Sequence, residues 1–259
     1  MTGKRVDYDQ LAAGYEERYR VNPLSGVAAA LSSLARAGHP RRIVEVGCGT
    51  GHWLDVLQGE AAVVEGIDAS FGMLRQAHAR GLAGLLAAGT AVSLPLQKDS
   101  VDLLFVVNAV HHFGDFEAFA REAARVVAPS GAIAIVGVHP LEFCDKWYPY
   151  EYFEGNYAAD IERFPSRSDQ VGALEHAGFV EFQESTVDGV EDTWMGEEVL
   201  ADPFLKRKSN SSLAQLSEEV YSAGLAKIRA AIDEGGPEGR DQTFRRALDF
   251  EMLHGRIGR

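Results

Sequence analysis

The sequence is short of cysteine, of positive charge and of long apolar runs. Its two cysteines, Cys48 and Cys144, stand 96 positions apart, which gives neither a disulfide framework nor metal-ligand spacing. Lys and Arg number 25 against 38 Asp and Glu, for a formal charge of −13. So acidic a surface repels phosphate backbones and anionic lipid, which argues against nucleic acid and membrane partners. The two basic runs, Arg41-Arg42 and Lys206-Arg-Lys208, read as solvated faces. The uncharged stretch from Gly81 to Leu96 is broken by Gly84, Gly89 and Pro95 and does not suit a bilayer span. The first residues, Met1-Thr-Gly-Lys-Arg-Val-Asp7, lack the apolar core of a signal peptide. The expectation is a reduced, cytoplasmic, soluble protein, with a homodimer left open.

What is present is an alternation of short apolar runs and helical patterns. Ile43–Val46, Ala62–Ile67, Leu85–Ala88, Val101–Val107 and Ala132–Val138 are mostly apolar on both faces, as parallel strands between two helix layers are. Helices are expected over Thr50–Gln58, Ser70–Ala79 and Asp115–Val127, each with one apolar stripe. A turn at Pro129-Ser-Gly131 feeds the fifth strand, and a helix over Ser168–Ala177 precedes a strand over Phe179–Val187. Ser212-Leu-Ala-Gln215 has the form of a capping box, and Phe244–Met252 alternates with period two. This order implies a doubly wound, mostly parallel α/β sheet.

Gly47-Cys-Gly49-Thr-Gly51 falls between a buried strand and a helix start, the context that a nucleotide-type loop requires. Glycines there allow positive φ and close approach of a ligand, and the helix start offers free N–H groups. Asp68, ending the second strand, can accept hydrogen bonds from both ribose hydroxyls of an adenosine, or it can cap the next helix. Glu45 would repel a pyrophosphate docked on the loop but attract an ammonium or sulfonium. The G-x-G-x-G spacing also departs from the G-x-G-x-x-G of dinucleotide sites.

These segments, with Gly89-Thr-Ala-Val-Ser-Leu-Pro-Leu96, Ser100-Val-Asp-Leu-Leu104, Asn108-Ala-Val-His-His-Phe113 and Arg125-Val-Val-Ala-Pro-Ser-Gly131, resemble the class I S-adenosylmethionine-dependent methyltransferases of the broad type 11 group. Thr90, Ala128 and Ser130 depart mildly from the family's pattern. The resemblance is strong over residues 7–138 and weak beyond. It implies a Rossmann-like, seven-stranded sheet with a lid or cap insertion, and S-adenosylmethionine as cofactor, leaving S-adenosylhomocysteine as product. By the same resemblance, Glu45, Gly47 and Asn108 surround the methionine part, Asp68 the ribose, and Thr90 and Ala91 the adenine edge. Cys48, Gly49, Ala69 and Met73 complete the expected cofactor set, with Tyr15 from the family's lid helix. Residues 1–259 then form one methyltransferase domain, with lid helices in 1–40, a cofactor core in 41–140 and substrate-cap insertions in 141–165 and 190–240.

Transfer of a sulfonium methyl is an in-line displacement, helped by near-attack geometry and a dry site. His111 and His112 occupy the loop after the fourth strand, where open α/β sheets place ligands, and either can serve as base to an acceptor. Packing within the loop is the competing reading. Trp147, Tyr150 and Tyr152 belong to a crowded aromatic segment that reads as a substrate wall, together with Tyr8 and Tyr19. Core packing is the alternative there too. The absence of an acidic triad argues for metal independence. A small-molecule methyl acceptor, with oxygen or nitrogen as the methylated atom, is the expected partner, and specialised metabolism the expected setting. A non-methylating protein that binds the same cofactor, and less so an NAD(P)-dependent oxidoreductase, are the competing classes.

Overall fold

A computed structural model describes residues 17–82, 86–207, 209–235 and 242–258. The chain falls into two compact units. One comprises Leu24–Val138, Arg163–Asp188 and Phe250–Arg259; the other comprises Met1–Pro23, His139–Glu162 and Gly189–Asp249.

Seven strands, β1 (Arg42–Val46), β2 (Val63–Asp68), β3 (Leu86–Ala88), β4 (Val101–Val107), β5 (Val127–Gly137), β6 (Phe179–Met195) and β7 (Thr243–Ile257), make one sheet. Their order is β3-β2-β1-β4-β5-β7-β6. The first five run parallel, and β7 pairs antiparallel with β5, Ile135 opposite Leu253. This is the doubly wound, mostly parallel α/β sheet that the apolar runs predict. Val44, Val46, Leu104 and Val106 are buried because helices cover both faces.

The helices are α1 (Glu17–Val21), α2 (Ser25–Gly38), α3 (His52–Val56), α4 (Phe71–Ala79), α5 (Phe116–Val126), α6 (Pro149–Tyr152), α7 (Asn156–Arg163), α8 (Arg167–Ala177), α9 (Ser211–Ala214) and α10 (Glu218–Glu234). Their starts follow from capping chemistry. Ser70 accepts from the Met73 N–H at α4, Asp115 from Ala118 at α5, and Ser166 forms a capping box with Asp169 at α8. Helix α5 buries Phe119, Ala120 and Ala123 and packs on α8 through one core with Leu174 and Phe179.

Several expectations are corrected. Ser212 does not cap a long helix; its hydroxyl donates to Asp160, while Asn210 caps the short α9 and Ser217 caps α10. Helix α3 ends at Val56, and β6 continues past Val187 to Met195. Strand β7 runs on to Ile257. Neither basic run is wholly solvated. Arg42 pairs at 2.6 Å with the buried Glu65, and Arg207 binds Glu218 and the carbonyls of Ala214 and Leu216. Ser130, where the resemblance expects glycine, adopts φ 65° in the turn before the main run of β5. Among the described residues no helix is long and apolar enough to cross a membrane.

Helix α2 begins after Leu24, which has φ 47° and offers no side-chain cap. The missing acceptor comes from across the fold. Asp188 Oδ2 accepts from the N–H groups of Gly26 at 2.7 Å and Val27 at 3.2 Å. A β-carbon at residue 26 would lie 2.1 Å from the Val187 carbonyl oxygen, so glycine is required for this approach. Asp188→Ala is therefore expected to lower stability by about 0.5–2 kcal/mol, the worth of a helix N-cap, read as a lower urea midpoint at unchanged slope.

Candidate active site

The strand order reverses between β1, which is followed in space by β2, and β4, on its other side. In an open α/β sheet the crevice beyond the carboxyl ends of two such strands is where ligands bind. The loop after β1 is Gly47–Gly51 and the loop after β4 begins at Asn108, so the sheet brings together the two segments that sequence singles out. They touch closely. A β-carbon on Gly47, whose φ is 77°, would lie 2.6 Å from the Ala109 β-carbon.

Asp68, at the end of β2, organises this crevice. Its Oδ2 accepts from the Gly49 N–H and its Oδ1 from the Ser70 N–H, both at 2.8 Å. Its carbonyl accepts from the Gly89 N–H at 3.0 Å. The Gly47 and Cys48 N–H groups donate in turn to the Ile67 carbonyl. Asp68 thus ties the glycine loop, the start of α4 and the exit of β3 to one point. Ser70, not Asp68, is the residue that caps α4.

The other cofactor candidates lie around this frame. Cys48 is buried and Gly49 half-buried in the loop; Ala69 is exposed and Met73 buried at the start of α4. Thr90 is exposed and Ala91 buried in a turn closed by the Ser93 N–H on the Thr90 carbonyl. The segment that follows is anchored by an acid–base pair that the sequence reading passed over. Glu122 and Arg125 on α5 bind each other at 2.7 Å. Glu122 accepts from the Leu94 N–H, and Arg125 donates to the carbonyls of Leu94 and Leu96. Their i, i+3 spacing on one helix was the available signal.

Glu45 lies at the floor of the frame, 1% exposed, and its Oε2 has no hydrogen-bond partner among the described residues. Burial, then the nearby Asp68 charge, pushes the Glu45 carboxyl well above the usual carboxylate range. Burial and these two acids likewise push the Cys48 thiol up. A buried position with two nearby carboxylates and an unmet acceptor favours a cation, and it disfavours a pyrophosphate.

Beyond β4, Asn108 takes φ 49°, a conformation that Asn tolerates better than most residues. A short 3₁₀ turn, Val110–His112, follows. The His111 ring stacks on Phe164 with centroids 4.1 Å apart and meets the His112 ring at 3.9 Å. Both histidines are half-buried. Stacking fixes their orientation, which a base requires and which packing alone would also give.

The remaining candidates belong to the other unit or lie outside the described residues. Tyr8 and Tyr15 are outside. Tyr19 is half-buried in α1, Trp147 and Tyr152 are buried, and Tyr150 is half-buried in α6. Tyr152 packs in an apolar cluster with Tyr148, Phe153, Val199 and Ile228. Among the described residues no three His, Cys, Asp or Glu side chains gather as a metal site.

The buried Glu45 makes a signed prediction. A carboxyl with a raised folded-state pKa keeps its proton in the fold where the unfolded chain has lost it. Stability therefore falls as pH rises from the ordinary carboxylate range through the raised folded value. Glu45→Gln removes that slope. Paired thermal melts should give equal midpoints near about pH 4 and a higher midpoint for the variant near about pH 8. Parallel curves for the two proteins would contradict the assignment.

Comparison with known proteins agrees with this frame. A family model described as a methyltransferase domain matches residues 44–135. The chain is 34% identical over 94 residues to a demethylmenaquinone methyltransferase of Corynebacterium kroppenstedtii, covering 36% of this chain and 40% of that one. It is 36% identical over 131 residues to a malonyl-[acyl-carrier protein] O-methyltransferase of Hahella chejuensis, covering 49% of this chain and 43% of that one. These matches thus span only about two fifths of those relatives' own length. The solved YcgJ protein of Bacillus subtilis has the same fold, with a TM-score of 0.63 at 20% identity over 90% of this chain and 98% of that one. Residues 44–135 thus match a methyltransferase domain, and the chain as a whole shares its fold with the solved YcgJ protein.

Proposed function

We propose that this chain is an S-adenosylmethionine-dependent methyltransferase acting on an oxygen or nitrogen of a small, partly apolar or aromatic molecule of specialised metabolism. The observation that carries the reading is the unmet Oε2 of buried Glu45 beside a glycine loop pinned by Asp68. A cofactor with an ammonium, a sulfonium and an adenosine fits these groups in the order the chain presents them.

Glu45 would take the ammonium end, and the glycines of Gly47–Gly51 would let the methionine part approach the loop backbone closely. The Asp68 carboxylate, held by the Gly49 and Ser70 N–H groups, would face the ribose hydroxyls. Thr90 and Ala91 would edge the adenine, with Met73 beneath. When bound, S-adenosylmethionine supplies a methyl group on a sulfonium, ready for in-line displacement. His111 or His112 would then take the proton that an O–H or N–H acceptor gives up. Trp147, Tyr150 and Tyr152, with Tyr8 and Tyr19, remain the candidates for shaping the acceptor's site.

Calorimetric titration tests the cofactor first. S-adenosylhomocysteine should bind one to one and in preference to nicotinamide dinucleotides. Glu45→Gln should weaken it about tenfold or more, as the loss of a charge-assisted hydrogen bond does. Preference for a dinucleotide would sink the reading. With an accepted substrate, replacing the working histidine by Ala should cut turnover by about 10²–10⁴-fold while cofactor affinity stays within a few-fold. Equal loss of both would make the histidines structural.

A further inference from the structure

The turn over residues 90–93 carries Thr90 and Ala91, the pair proposed to edge the adenine, and it is held at both ends. The Ser93 N–H closes it on the Thr90 carbonyl at 3.1 Å. Before it, the Gly89 N–H donates to the Asp68 carbonyl at 3.0 Å. A β-carbon on Gly89 would lie 2.7 Å from Pro95 Cδ, so the two limbs of the turn also pack on each other. After it, Glu122 Oε2 accepts from the Leu94 N–H at 2.9 Å. Arg125 donates to the Leu94 carbonyl at 3.0 Å and to the Leu96 carbonyl at 2.8 Å.

The Leu94 N–H belongs to the peptide plane that joins Ser93 to Leu94, and the Leu94 carbonyl to the plane that joins Leu94 to Pro95. The Leu96 carbonyl belongs to the plane after that residue. Helix α5 therefore fixes how these planes are rotated, which burial of the Leu94 side chain alone would not do. The two anchors are themselves joined, since Arg125 Nε and Nη2 both bind the Glu122 carboxylate at 2.7 Å. That guanidinium holds the Glu122 carboxyl below the usual carboxylate range, so the pair stays ionised.

Ala91 has no polar side-chain atom, so any hydrogen bond it offers a base comes from its backbone. A backbone group is aimed only by the path of its segment. With Gly89 and Leu94 both held, the turn has one path; with Leu94 released, it can pivot about Gly89. A mismatched base edge is costly only where the protein groups cannot turn to suit it.

We propose that Glu122 and Arg125 are positioning residues for base recognition. By fixing the peptides at Leu94 and Leu96 they aim the backbone of Thr90 and Ala91, so that the site accepts adenine and rejects a purine whose donors and acceptors are reversed. The inference rests on the cofactor reading above.

The test uses the full chain, S-adenosylhomocysteine and S-inosylhomocysteine. In the second the 6-amino group of the base is a carbonyl and N1 gains a hydrogen, and nothing else differs. By calorimetry the wild-type protein should bind the adenosine compound about tenfold or more tightly. Arg125→Lys, which keeps the charge and loses the fork, should shrink that preference to about threefold or less. Glu122→Gln, which keeps an acceptor for Leu94 but no charge to hold Arg125, should reduce it several-fold and serves if the first variant does not fold. Asp188→Ala, destabilised at the start of α2 without touching the turn, should keep the full preference. Thermal melts establish that each protein is folded at the assay temperature. No preference in a wild-type protein that binds S-adenosylhomocysteine overturns this inference alone. So does a folded Arg125→Lys or Glu122→Gln protein that keeps the preference. Loss of it in Asp188→Ala overturns the inference as well, because the preference would then follow stability and not position. Absence of S-adenosylhomocysteine binding to the wild-type protein refutes the cofactor reading, and this inference with it.

Discussion

Asp68 is the point on which the carboxyl end of the parallel strands turns. One residue at the end of β2 holds three segments that are distant in sequence, through two side-chain oxygens and one carbonyl. Hydrogen bonds to a charged acceptor contribute about 1.5–3 kcal/mol each, so the carboxylate is a strong clamp on a loop whose glycines resist order. Gly47, Gly49 and Gly51 all have positive φ, and without an anchor their backbone would sample many conformations. The clamp, with the Gly47 and Cys48 N–H groups on the Ile67 carbonyl, turns a flexible stretch into a fixed loop.

The clamp makes sense of Glu45. A buried carboxyl close to a second carboxylate is unfavourable, and the fold answers by raising its pKa. A cation at Oε2 would remove the penalty at its source and bring Glu45 back toward its charged form. Cys48 sits in the same field, and its thiol is held protonated by burial and by both acids, which makes it a packing group and not a nucleophile.

The sheet was largely legible because strands buried on both faces leave continuous apolar runs, and Val101–Val107 matches to the residue. Asp68 was legible as a position, since an acid ending the second strand has few other uses. Its backbone partners were not, because a hydrogen bond to Gly49 depends on how two strands pair. The capping box at Ser212 failed for a related reason. The local pattern was correct, but Asp160, far away in sequence, claimed the hydroxyl. Arg42 and Arg207 were read as solvated because Glu65 and Glu218 meet them only after folding. The Glu122–Arg125 pair was visible as spacing, yet its function as an anchor for residues 94–96 needed the position of that segment over α5. Asn156 carried no sequence signal at all; only its burial distinguishes it.

An unmet polar atom is informative only when nothing else answers it, and the contrast with Arg246 shows why. Its Nη1 also lacks a hydrogen bond among the described residues. Yet that guanidinium is bound through Nε and Nη2 to Asp192, lies 3.7 Å from Asp202 and rests 4.3 Å over the Phe204 ring. Charge and π-electron density compensate it from several sides, so no ligand is needed to explain its burial. Asn156 is neutral, has no ion pair to draw on, and is unmet at both ends of one amide. Electrostatic compensation reaches over several ångströms; an amide is satisfied only by contact. The one unmet atom of Arg246 is therefore compensated by its surroundings, whereas the two of Asn156 are not.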